Sequence, residues 1–100
     1  MAYKFTFKAQ KQGPWDHYRA IDIKYRGEVV GCICSEQYGK WRVRLQALAS
    51  EKALAVNPNC PWMWVTVKRL FSSAEEAKAW LNENRDSLLT TIYFENGGPA

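Results

Sequence analysis

The residue types best able to carry nucleophilic or metal chemistry are few in this chain: three cysteines and one histidine. Cys32 and Cys34 stand two apart in the apolar run EVVGCICS (28–35), Cys60 lies in NPNCP (57–61), and His17 follows Asp16. Three sulfurs and one imidazole are nominally a zinc set. Structural zinc, however, takes its thiolates from C-x₂₋₄-C knuckles, and C-x-C inside an apolar strand is poor spacing for a tetrahedron. Cys32 and Cys34 are also too close to bridge easily with each other across a strand. The thiols are therefore expected to be reduced and unmetallated, with Cys32 or Cys34 buried. Asp16 and His17 are adjacent, so on an extended backbone they point apart, and His17 reads as a surface loop residue. There are no paired carboxylates in apolar surroundings, no phosphate-cradling glycine loop and no nucleophile elbow. No catalytic residue, metal ligand or cofactor is assigned, and the chain reads as a non-enzyme.

The residues that stand out instead are aromatic and cationic. Five tryptophans occur in 100 residues, two of them in NCPWMWV (59–65). On a strand, Trp62 and Trp64 share one face and Met63 and Val65 the other, so both faces are apolar. A one-sided core satisfies one of them. In WRVRLQAL (41–48), Trp41, Val43 and Leu45 oppose Arg42, Arg44 and Gln46. If Met63, Val65 and Val67 join the core, then Trp62, Trp64 and Lys68 share a face with Arg42, Arg44, Lys4, Lys8 and Lys24. Rings among Arg and Lys on an open sheet suit a protein hot spot or single-stranded nucleic acid, whose bases stack on the rings. Two structural alternatives stand beside this. The 47–60 segment covers the tryptophans as a second small core, or the strand is flipped and they belong to the main one.

These side chains need strands to position them. Tyr3, Phe5, Phe7 and Ala9 alternate with Lys4, Thr6, Lys8 and Gln10 as a half-buried strand. KQGPWDH (11–17) is a loop. Ile21, Ile23 and Tyr25 form a second strand, Arg26-Gly27 a tight turn, and 28–35 a third, central strand in which Gly31 marks a bulge or a close approach. EQYGK (36–40) turns into the fourth strand; 49–56 is either a helical turn or two or a short edge strand; WMWVTVKRLF (62–71) is the last strand. Ser73 with Glu76 then makes a capping box, and Ala74, Ala77, Trp80 and Leu81 recur at helical spacing. Asn84-Arg85-Asp86 interrupts, and SLLTTIYF (87–94) has the spacing of a second short helix with Leu88, Leu89 and Ile92 inward. The expected fold class is α+β: one domain over residues 1–94, with a single antiparallel sheet of four to six strands. One main C-terminal helix packs on one face, and residues 95–100 form a disordered tail.

Bulk properties set the remaining bounds. The net charge is +4, unevenly spread: residues 1–71 carry twelve Lys/Arg against five Asp/Glu, and 72–100 two against five. That gradient suggests one anion-facing surface. No run approaches the roughly 18 apolar residues that span a bilayer, so no membrane partner is expected. MAYKFTFKAQ alternates rather than forming a signal peptide's apolar stretch, and the expected compartment is the cytoplasm.

In its format (hairpin strands, a tryptophan-rich last strand and the FSSAEEAKAWL helix), the chain is similar to small accessory proteins of phages and mobile elements, including anti-CRISPR and other host-takeover proteins. The resemblance spans the whole chain and carries over no site residue. It departs from the acidic DNA mimics of that group, because this chain is basic. It implies a protein, at work in the host cytoplasm, that binds and blocks a host protein or nucleoprotein complex. The partner-binding set read from strand phase is Arg42, Arg44, Trp62, Trp64, Lys68, Lys4 and Lys8, and the alternative use of the same face is single-stranded nucleic-acid binding.

Overall fold

The structure, a computed structural model, describes residues 3–10 and 19–95. The loop with Asp16 and His17, and residues 96–100, lie outside that range. Five strands, β1 (Thr6–Ala9), β2 (Ala20–Tyr25), β3 (Glu28–Ser35), β4 (Trp41–Leu48) and β5 (Trp62–Thr66), form one antiparallel sheet in sequential order. Each strand pairs with its neighbour in sequence, the arrangement that short connections favour. Arg26 and Gly27, both at positive φ (52° and 85°), make the tight β2–β3 turn. Tyr38 and Gly39 (61° and 71°) turn β3 into β4.

Alternation decides the faces. Phe7, Ile23, Gly31, Leu45 and Val65 lie in register across the sheet, and Ile21, Ile33 and Val43 form the next row. The helices α2 (Ala74–Glu83) and α3 (Arg85–Leu89) pack on this side. Ala77 and Leu81 of α2 are buried with Phe5, Ile23, Ile33, Val43, Leu45 and Phe71, and Leu88 and Leu89 of α3 pack against the cluster. The α+β class with a helix on one face of an antiparallel sheet is thus as the sequence indicates. Among the described residues, no helix is long and apolar enough to cross a membrane.

Three local features differ from the sequence reading. The last strand does not run to Phe71: β5 ends at Thr66, residues 68–70 bulge outward, and Phe71 rejoins β4 opposite Trp41 as an isolated bridge. The bulge lets a Lys-Arg pair stay in water while Phe71 is fully buried. The second C-terminal helix covers Arg85–Leu89 rather than 87–94, and Ile92 enters the sheet as a bridge to Ala47. Its place is beside β4 beyond Leu45, where β3 no longer pairs with β4, so the free β4 groups are satisfied: Leu48 N–H donates to Thr91 O (2.9 Å) and Tyr93 N–H to Gln46 O (2.8 Å). At the other terminus β1 is shorter than the alternation suggests. Phe5 is buried ahead of it, held by its N–H donating to Asn82 Oδ1 on α2 (2.8 Å), whereas Tyr3 and Ala9 are exposed.

The ambiguous 49–56 segment is the helix α1 (Glu51–Val56), with Ser50 Oγ accepting from Ala53 N–H (3.2 Å); none of its residues is buried. At α2, Ser73 Oγ accepts from Glu76 N–H (3.0 Å), as a capping box requires. Glu76 does not reach Ser73 in return. Its carboxylate accepts from the Ser72 hydroxyl and N–H and from Arg69 Nη2. Those Ser72 bonds, then Arg69, hold the Glu76 carboxyl below its ordinary range. This contribution is complete above the unfolded carboxylate range and is lost as pH falls through the depressed value. Ser73→Ala is expected to cost about 1 kcal/mol, read as a lower urea midpoint. No measurable change would mean that Ser72 and Glu76 alone hold the helix start.

Candidate binding face

The face of the sheet opposite α2 and α3 carries the candidate residues. Register places them row by row: Lys8, Asp22, Cys32, Arg44 and Thr66 in one row, and Ala20, Cys34 and Arg42 in the next. Trp64 lies opposite Gln46 and Trp62 opposite Leu48, in phase with Arg44. Arg42, Arg44, Trp62 and Trp64 therefore do share one surface, as the strand phases indicate. The tryptophans are outside the main core.

Their contacts are specific. The Arg44 guanidinium lies over the Trp64 ring, 5.0 Å from its centroid. Trp62 meets Trp64 edge to face, with centroids 5.5 Å apart and planes at 88°. Such contacts are worth roughly 0.5–1.5 kcal/mol each and fix ring orientation as much as they stabilise. Trp64 is 41 % exposed, and Leu48 beside Trp62 is 56 % exposed. Arg42 Nε donates to Glu36 Oε1 (3.0 Å), which aims its guanidinium along the β3–β4 end.

The margin at β5 is thinly covered on both sides. Val65 points to the helix side yet is 39 % exposed, because α2 and α3 pack over the centre of the sheet rather than its β5 edge. The expected burial of Val65 fails for that reason.

Lys8 belongs to the face, but at the far edge: three strand spacings, about 14 Å, separate it from Arg44. Lys24 lies on the same face, between Thr6 and Val29. Lys4 precedes β1 and Lys68 sits in the bulge after β5, so the ladder ties neither to the tryptophans. Sequence reasoning missed Glu36, Leu48 and Tyr38. The last is 94 % exposed at the β3–β4 turn, and its positive φ is legible only as an aromatic preceding glycine.

Two of the thiols, Cys32 and Cys34, occupy the same face. Cys34 is buried, and Cys32 Sγ lies 3.2 Å from Cys34 Sγ. Burial, then the Cys34 contact, pushes the Cys32 thiol up to about 12, with Arg44 pulling weakly the other way. Cys32 is thus a thiol rather than a thiolate at neutral pH, and a poor nucleophile. Cys60 donates its S–H to Trp62 O (3.2 Å) and so helps seat the first tryptophan.

No protein-family model, curated protein or solved structure matches the chain.

Proposed function

We propose that this chain is a non-catalytic binding protein that docks its helix-free sheet face on a protein or nucleoprotein complex, in the manner of small phage-type accessory proteins that modulate or inhibit a host target. The observation that carries this reading is the Arg44–Trp64–Trp62 set. Arginine and tryptophan are the residue types most enriched at interface hot spots, and here they are pre-packed beside exposed Leu48. Rings already held by one another and by a guanidinium lose little freedom on binding, which favours affinity. The basic members of the face suit an acidic target surface and faster encounter.

The alternative, single-stranded nucleic acid, draws support from the same exposed Trp64 and from the cations Lys8, Lys24 and Arg44 on its face. It requires bases to stack on rings that are already engaged. Salt separates the two. Nucleic-acid affinity falls steeply with log salt through counterion release, whereas an aromatic-anchored protein contact depends on salt less.

Capture from nuclease-treated lysate of the native host, quantified at rising salt, tests the reading. The chain is expected to retain a discrete protein partner. Arg42→Ala with Arg44→Ala should reduce capture at least tenfold, while stability changes by no more than about 2 kcal/mol, the scale of one exposed ion pair plus one cation–π contact. Retention abolished by nuclease or by modest salt would favour the single-strand reading. Full capture by the double variant would move the functional surface elsewhere.

A further inference from the structure

We infer that the outer edge of β5 pairs antiparallel with the β5 edge of a second copy of this chain, joining two five-stranded sheets into one. The inference starts from hydrogen-bond parity. Val67 N–H donates to Val43 O (2.9 Å) and Ala49 N–H donates to Pro61 O (3.0 Å). The odd-numbered residues of this strand therefore face β4. By alternation, Trp62, Trp64 and Thr66 direct their N–H and C=O groups away from the sheet. Among the described residues, the bond recorded for these outward groups is that from Cys60 Sγ to Trp62 O. A carbonyl has a second lone pair, so even that oxygen can accept again.

The two edges of the sheet are built differently. At the β1 edge, Lys8 lies within the four-residue strand and Lys4 just ahead of it, charged side chains of the kind that deter pairing. From Pro61 through Val67 the β5 edge carries no charge at all. It also has no internal proline or bulge, and the irregularity begins only at 68–70. An uncharged apolar edge is a template for another strand.

A second copy fits this edge on charge. A two-fold axis at Trp64 sets Trp64 opposite Trp64 of the partner subunit, and Trp62 opposite Thr66 of the partner subunit. Lys68 and Arg69 follow the paired segment, in the bulge at 68–70, so the five paired residues of each chain bring no charge to the seam. Two chains of net charge +4 thus meet with no cation facing a cation. The pairing supplies about six main-chain hydrogen bonds and brings the two Trp62–Trp64 sets side by side. Five residues per strand bury less than the roughly 1,200 Å² of a standard stable interface, so the dimer is weak, with Kd on the order of 10 µM. The inference stands independently of what the sheet face binds.

Sedimentation velocity from about 2 to 500 µM tests it, together with amide hydrogen exchange at both limits. The wild-type mass is expected to rise from 11.5 kDa toward twice that value. The Trp64 and Thr66 amides should gain protection as it rises, whereas the outward amides of β1, Phe7 and Ala9, should not. Thr66→Pro removes one outward N–H and no bond to β4, and should remain monomeric with an unchanged far-UV spectrum. A wild-type chain still monomeric at 500 µM would overturn the inference. So would Trp64 and Thr66 amides protected at every concentration, which would show the edge covered within one chain or by a co-purified peptide. A dimer that forms without that protection would place the interface on another surface and equally overturn it.

Discussion

Gly31→Ala is expected to destabilise the domain by about 3 kcal/mol or more, the upper range for overpacking, seen as a large fall in urea midpoint. A Cβ at residue 31 would lie 2.3 Å from the carbonyl oxygen of Arg44 and 3.1 Å from Cα of Leu45. Both are backbone atoms of the neighbouring strand, so no side-chain rotation relieves the clash. β3 and β4 must separate, and they are the central strand and one of its two interior neighbours. The same residue faces Ile23 at the point where the β2–β3 register shifts. Loss of this glycine would therefore also displace Arg44, whose guanidinium covers Trp64. An unchanged midpoint for Gly31→Ala would mean that β3 and β4 are not as closely packed as described.

That glycine illustrates what the sequence makes legible. A Gly inside EVVGCICS signals either a bulge or a close approach, and the structure has both at this place. Strand phase was equally informative. The alternation in WRVRLQAL and WMWVT suffices to put Arg42, Arg44, Trp62 and Trp64 on one surface, because period 2 leaves no intermediate choice. The α2 start was legible because Ser73 and Glu76 act locally.

What was not legible depends on partners distant in sequence. Ile92 looks like the inward residue of a helix, yet it is claimed by free groups of β4, some 45 residues earlier. The end of β5 is hidden for a similar reason. VKRLF alternates only roughly, and the bulge at 68–70 arises because Phe71 must return to the core beside Trp80, with ring centroids 5.5 Å apart. Val65 is apolar and in core phase, but periodicity does not reveal how far the helices extend across a sheet. Nor does sequence show that Glu76 bonds Ser72 rather than the capping serine.

The helix-free face is tested most directly by Trp64→Ala, with equilibrium unfolding and partner capture measured on the same preparation at about 1 µM, below the Kd proposed for pairing of two copies. Trp64 is 41 % exposed at the margin of the sheet, its ring meets the Arg44 guanidinium and Trp62, and it is absent from the main core. The expected result is a folded domain whose stability falls by about 1–2.5 kcal/mol, the scale of one aromatic pair plus one cation–π contact, while capture of the partner drops at least tenfold. The contrary result is a loss of roughly 3–5 kcal/mol, as for a ring deleted from a packed core, with capture by the residual folded fraction undiminished.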